Sequence, residues 1–221
     1  MRGDVGRSPP ANDVEITVSL ALRRTVLFGA PALAYVAGML HPRHVLSHGS
    51  PWLYLGVHLA WPFLACMLAW MCLLLVEGVE GGAAAAARML AIPFAVAYTL
   101  FTAFAGVGIG AFVWKANELP ASQQPGASAL IESVIHSSLG SPIRWVANVL
   151  WLGTALAVVL ALRGRAPLGG LVLFVVGAAV FAYRHERPWG AGGMAAVLAG
   201  VIWIELRPQP AAGPHAENVF E

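Results

Sequence analysis

Residues 51–76 read PWLYLGVHLAWPFLACMLAWMCLLLV, an apolar run that holds one imidazole, His58, and no Asp, Glu, Lys or Arg. A run of this length crosses roughly 30 Å of hydrocarbon as a helix rising about 1.5 Å per residue, so it predicts a membrane span over 53–76. Helix is expected rather than strand. Hydrocarbon offers the backbone no partners, and the chain shows no alternating pattern with barrel spacing. Five further apolar segments lie near 25–40, 89–114, 143–162, 166–183 and 189–206. The whole chain agrees with them. Of its 221 residues 58% are hydrophobic and 11% charged, with mean hydropathy +0.71, against about 25% charged in a soluble domain. So little charge cannot cover a globule with polar surface. The expected fold is an all-α integral membrane protein: a six-transmembrane-helix bundle in contact with membrane lipid.

Three regions follow. Residues 1–24 form an N-terminal tail opened by Ser8-Pro9-Pro10, residues 25–206 the transmembrane domain, and 207–221 a Pro/Ala/Gly-rich tail expected to be disordered. Ser50-Pro51 and Ser141-Pro142 punctuate helix starts, since a serine oxygen accepts from an early N–H and a proline at the first position needs no donor. Pro167 and Pro188 play a similar part. Ala83 to Ala87 is a strong helix-forming run that extends the third segment backwards. In the longest connection Leu130, Ile131, Val134, Ile135 and Leu139 recur at helical spacing. This predicts a short interfacial helix between spans 3 and 4.

Basic residues set the orientation. Arg2, Arg7, Arg23, Arg24, Arg88, Arg163, Arg165 and Arg207 share one side of a six-span threading, and Arg43, Lys115, Arg144, Arg184 and Arg187 share the other. The larger set places both termini in the cytoplasm, with the chain in the cell (plasma or inner) membrane. The competing possibility is a cleaved signal peptide, from Arg23-Arg24 through Ala34-Tyr35-Val36-Ala37. Arg-rich, Lys-poor and Ala/Gly-rich usage points to a GC-rich bacterial genome. No basic run or basic-aromatic patch suggests nucleic-acid binding. Cys66 and Cys72 lie about 120° apart on one helix and are expected to remain free thiols.

The chemistry gathers at one end. His41, His44, His48, His58, His136 and His185 fall in or beside the loops of the outward side, while His215 alone lies in the C-terminal tail. Imidazole ligates zinc, copper, nickel and haem iron. His58 lies inside a span, where an ionisable group must face the bundle interior and find a partner. Pro62 removes the N–H that would bond the His58 carbonyl. The expected ligands are His58, His41, His136 and His185, binding a transition metal (copper, zinc or nickel) or haem for redox or metal handling. Met39 and Met194 are weaker candidates for a copper site, and Glu132, four residues before His136, is placed to orient that imidazole.

The run His41-Pro42-Arg43-His44-Val45-Leu46-Ser47-His48 resembles the His-Pro-x-x-Gly-x-Asp-His motif of the HupE/UreJ nickel-uptake family. The likeness covers eight residues and departs where Val45 and Ser47 replace Gly and Asp. It implies metal uptake.

Absences narrow the field. No aspartate follows Asp13, and neither a Gly-x-Ser-x-Gly elbow nor a P-loop occurs. Two alternatives to metal binding remain. One is a lipid-modifying or isoprenoid-cyclising membrane enzyme that uses Glu77 as a buried acid. The other is a non-catalytic membrane subunit or scaffold, with a membrane-protein partner or a second copy docked on its glycine faces. Gly106, Gly108 and Gly110, and Gly190, Gly192 and Gly193, would provide close helix packing or room for a flat guest.

Overall fold

The computed structural model describes residues 19–41, 51–135, 140–185 and 187–206, and these residues are all-helical. The chain runs α1 (Leu20–Leu40), α2 (Pro51–Leu75), α3 (Gly82–Thr102), a π-helical turn (Ala103–Gly108), α4 (Ile109–Asn117), α5 (Gln124–Ile135), α6 (Gly140–Leu162), α7 (Leu168–Tyr183) and α8 (Trp189–Glu205). Four helices are long and apolar enough to cross a membrane: Leu20–Leu40, Pro51–Leu75, the continuous Gly82–Asn117 and Ser141–Leu162. The protein is therefore a multi-pass membrane protein. Leu168–Tyr183 and Trp189–Glu205 are shorter apolar helices.

Local signals set most ends. Ser19 Oγ accepts from the Leu22 N–H at 3.2 Å, so α1 starts five residues before the expected boundary and takes Arg23 and Arg24 into the helix. Pro51 is the first residue of α2, and Pro167 and Pro188 cap α7 and α8. Gly140 begins α6, one residue ahead of Ser141-Pro142. Gly78 and Gly81 take φ of 68° and 111° between α2 and α3, a conformation that glycine adopts without a Cβ penalty. Arg88 then donates to the carbonyls of Val76 and Val79 at 2.7 and 2.8 Å, tying α3 to the turn that follows α2. The 83–87 run falls inside α3, as expected. The amphipathic connection is a helix from Gln124. Ala127, Ile131 and Ile135 pack it on Tyr54, Ile109, Val113 and Ala116, while Leu130 and Val134 are exposed. The tails 1–18 and 207–221, and His44, His48, His136 and Leu139, lie outside the described residues.

The apolar helices form a ring. Each of α1, α2, α3, α6 and α7 packs on the next, and α8 closes back on α1. Lipid tails are as apolar as leucine, so helices associate through close fit and polar bonds rather than water exclusion. The α7–α8 pair shows the fit. Cβ atoms on Gly170 and Gly177 would strike the backbone of Gly200 and Gly193, and the converse also holds. These glycines recur every two turns on each helix, so the backbones meet directly. Polar bonds join α6 to α7, where Asn148 Nδ2 donates to the Ala182 carbonyl at 2.8 Å and Trp151 Nε1 to the Ala178 carbonyl at 3.1 Å. Trp61, Phe94, Trp151, Phe174 and Phe181 fill the centre, whereas Leu33, Phe63, Met89, Ile92 and Leu156 point outward as a lipid-facing surface should. At the end away from the histidines Arg23 bridges Glu77 at 2.6 Å and Glu205 at 3.0 Å, tying together α1, the end of α2 and α8.

Candidate functional site

Three of the four expected ligands meet at the opposite end. His41 caps the C-terminus of α1, His58 lies two turns into α2, and His185 follows the end of α7. The His41 ring is 4.9 Å from that of His58 and 5.1 Å from that of His185, edge-on in both cases. His41 and His58 are buried and His185 is half-buried.

Each histidine is placed by a glycine. At Gly38, one turn before His41, the backbone of Ala191 approaches to 3.2 Å of where a Cβ would stand. This close approach of α8 to α1 brings the α7–α8 connection, and so His185, beside His41. A Cβ on Gly106 would overlap the Cβ, Cγ and Cδ2 of His58, so the π-helical turn lies directly against that side chain. A Cβ on Gly190 would overlap the His185 backbone, so the chain folds back over the start of α8 only with glycine there. The expectation of close packing is met at Gly106, Gly190 and Gly193, whereas Gly192 faces open space.

Hydrogen bonding sets the chemistry of His58. Its Nδ1 lies 2.7 Å from the Tyr54 carbonyl oxygen. A carbonyl can only accept, so Nδ1 carries the proton and Nε2 keeps a lone pair. Tyr54 has a second task. Its hydroxyl donates to the Ala105 carbonyl at 2.6 Å, inside the π-helical turn, and its ring lies 4.3 Å from that of His58. A π turn shifts backbone bonds by one residue and often marks a functional site. Burial, together with His41, His58 and Arg144, holds the His185 imidazole well below the usual histidine range. It is therefore neutral near pH 7, with a lone pair available. The Phe101 ring packs edge-on to His185 at 5.8 Å.

Among the described residues no three His, Cys, Asp or Glu side chains are arranged as a ready-made metal site. Met39 is exposed and Met194 is buried in the α8 core, and Glu132 is exposed on α5. Glu77 lies at the far end of the bundle, with its side chain 53% exposed and paired to Arg23. Gly106, singled out in the sequence for close packing or a guest, lies in the site; Tyr54, Phe101 and Gly38 also belong to it, and the sequence marks none of these three as site residues. Only Tyr54 carries a usable signal, being four residues before His58 and so on the same helix face. No known protein family, curated protein or solved structure matches the chain.

Proposed function

We propose that the protein binds one transition-metal ion at the outer end of its bundle, through His41, His58 and His185, and serves in metal handling. The carrying observation is the row of imidazoles, His41 and His58 buried and His185 half-buried, in which His58 Nδ1 is tied to the Tyr54 carbonyl. A metal-binding histidine commonly donates its other ring N–H in this way, which fixes the tautomer and aims the ligating nitrogen. Ring spacing adds support. Imidazoles bound tetrahedrally at roughly 2.0–2.1 Å have centroids about 5 Å apart, close to the 4.9 and 5.1 Å here. An all-imidazole set suits zinc or copper, and also nickel. A haem iron between two of these rings would need them coaxial and about 6 Å apart, on opposite faces of the macrocycle. The His41–His58 and His41–His185 pairs, edge-on at 4.9 and 5.1 Å, do not have that arrangement. His136 stands as a further ligand on sequence grounds alone.

The same proposal takes α7 and α8 as the fifth and sixth spans of a plasma-membrane protein with both termini cytoplasmic. It also lays α5 along the outer interface. The basic-residue asymmetry supports this threading, and helices of 16 and 17 residues are accommodated by local thinning of the bilayer.

The test is elemental analysis of detergent-purified protein after loading with zinc or copper. The expected result is about one equivalent in the wild type and near none in His58→Ala, with His185→Ala also reduced. Wild-type protein that retains no metal, or equal metal in all three proteins, would falsify the assignment.

A further inference from the structure

One turn inward of the imidazole row lie two polar groups to which the metal reading gives no task. Trp61 follows His58 by three residues on α2, and Tyr98 precedes Phe101 by three on α3. Three residues are about 4.5 Å of helix. The Trp61 and Tyr98 rings are 5.6 Å apart, and the residues are 1% and 2% exposed. Among the described residues neither Trp61 Nε1 nor the Tyr98 hydroxyl has a hydrogen-bond partner. Their neighbour Trp151 is equally buried yet places its N–H on the Ala178 carbonyl. Buried donors are rarely left unbonded, and indole N–H can only donate.

We propose that Trp61 and Tyr98 form a second, inner site that holds one small neutral hydrogen-bond acceptor, a water molecule. The indole N–H and the phenol O–H both offer protons, so the guest must supply lone pairs. The walls decide its size. Phe94, Phe101 and Phe181 stand around Tyr98 at ring distances of 5.8, 5.9 and 5.9 Å, and Phe181 also flanks Trp61 at 5.4 Å. All are buried, which closes the site to a lipid-borne carbonyl compound. Water is the acceptor that fits such an enclosure and answers two donors at once. The polar axis of the bundle then runs from His41 and His185 through His58 to Tyr98. This site stands independently of metal binding.

The sign of a stability change tests it. In Tyr98→Phe the protein loses a bond to the guest and melts lower by about 2–6 °C in detergent. A hydroxyl with nothing to bond would give the opposite sign, because its removal relieves a buried orphan. The second measurement is nuclear magnetic resonance of protein with 15N-labelled tryptophan, the Trp61 indole being assigned by its disappearance in Trp61→Phe. A cross-peak between that indole proton and water, lost in Tyr98→Phe, is the expected result. Either a Tyr98→Phe protein that melts at or above the wild type, or a Trp61 indole without a water cross-peak, overturns the proposal.

Discussion

Replacing Gly106 by alanine adds one methyl group at the position where the π-helical turn meets His58. The new Cβ would overlap the Cβ, Cγ and Cδ2 of that histidine. Two of the three atoms belong to the ring, so relief requires turning the imidazole out or moving the helix. Turning it out breaks the 2.7 Å bond from Nδ1 to the Tyr54 carbonyl. Overpacking costs about 1–3 kcal/mol, offset by roughly 0.5–1 kcal/mol because alanine suits a helix better than glycine. For a chain of this size the net loss lowers Tm by about 2–8 °C. The metal site should suffer more, since disturbing the group that orients a ligand weakens binding about 10–100-fold. Thermal melting and a competitive zinc titration in detergent measure the two effects. Gly56→Ala is the control: it lies on the same helix as His58, and a Cβ there meets nothing within 4 Å. If Gly106→Ala matches Gly56→Ala in both assays, the contact does not position His58 and the reasoning fails.

Tyr54→Phe strands the Ala105 carbonyl in the π turn and should cost about 1–3 kcal/mol. The backbone carbonyl of Tyr54 still holds His58, so bound metal by elemental analysis should stay within about twofold; loss of the metal would show that the ring itself is required. Glu77→Gln removes one partner of Arg23, whose pair with Glu205 persists. The half-exposed bridge is worth at most about 1 kcal/mol, so a melting shift well beyond about 4 °C would contradict the account of Glu77 as an interfacial charge. Gly177→Leu inserts a side chain where the backbones of α7 and α8 touch. Size-exclusion chromatography should show loss of the folded, monodisperse species, and a normal elution profile would mean the pair does not depend on that contact.

The histidine end of the bundle was legible in part. That His41, His58 and His185 belong to one end follows from segment order alone, because alternate loops of an antiparallel bundle share a side. Their contact does not follow. His58 faces inward because the side of α2 that carries Tyr54, Val57 and Trp61 is buried, while Leu59 and Phe63 face outward. Hydropathy cannot choose between those faces, since in lipid both are apolar. Glu77 illustrates the same limit. Its sequence position allows a buried acid or an interfacial charge; in the fold its side chain is half-exposed and paired to Arg23, distant in the chain, which also meets Glu205.

Charge, hydropathy and capping act over a few residues. The chain alone therefore established that this is a helical membrane protein, where its main helices run to within a few residues, and which end collects the imidazoles. Rotation of each helix about its axis and the approach of its neighbours are not local quantities. They depend on Gly38 admitting Ala191, Gly106 admitting His58 and Gly190 admitting the His185 backbone. A glycine in an apolar run looks the same whether it touches a partner or faces lipid, as Gly56 and Gly192 show. Only the packed ring distinguishes the two, because close approach is a property of two surfaces together.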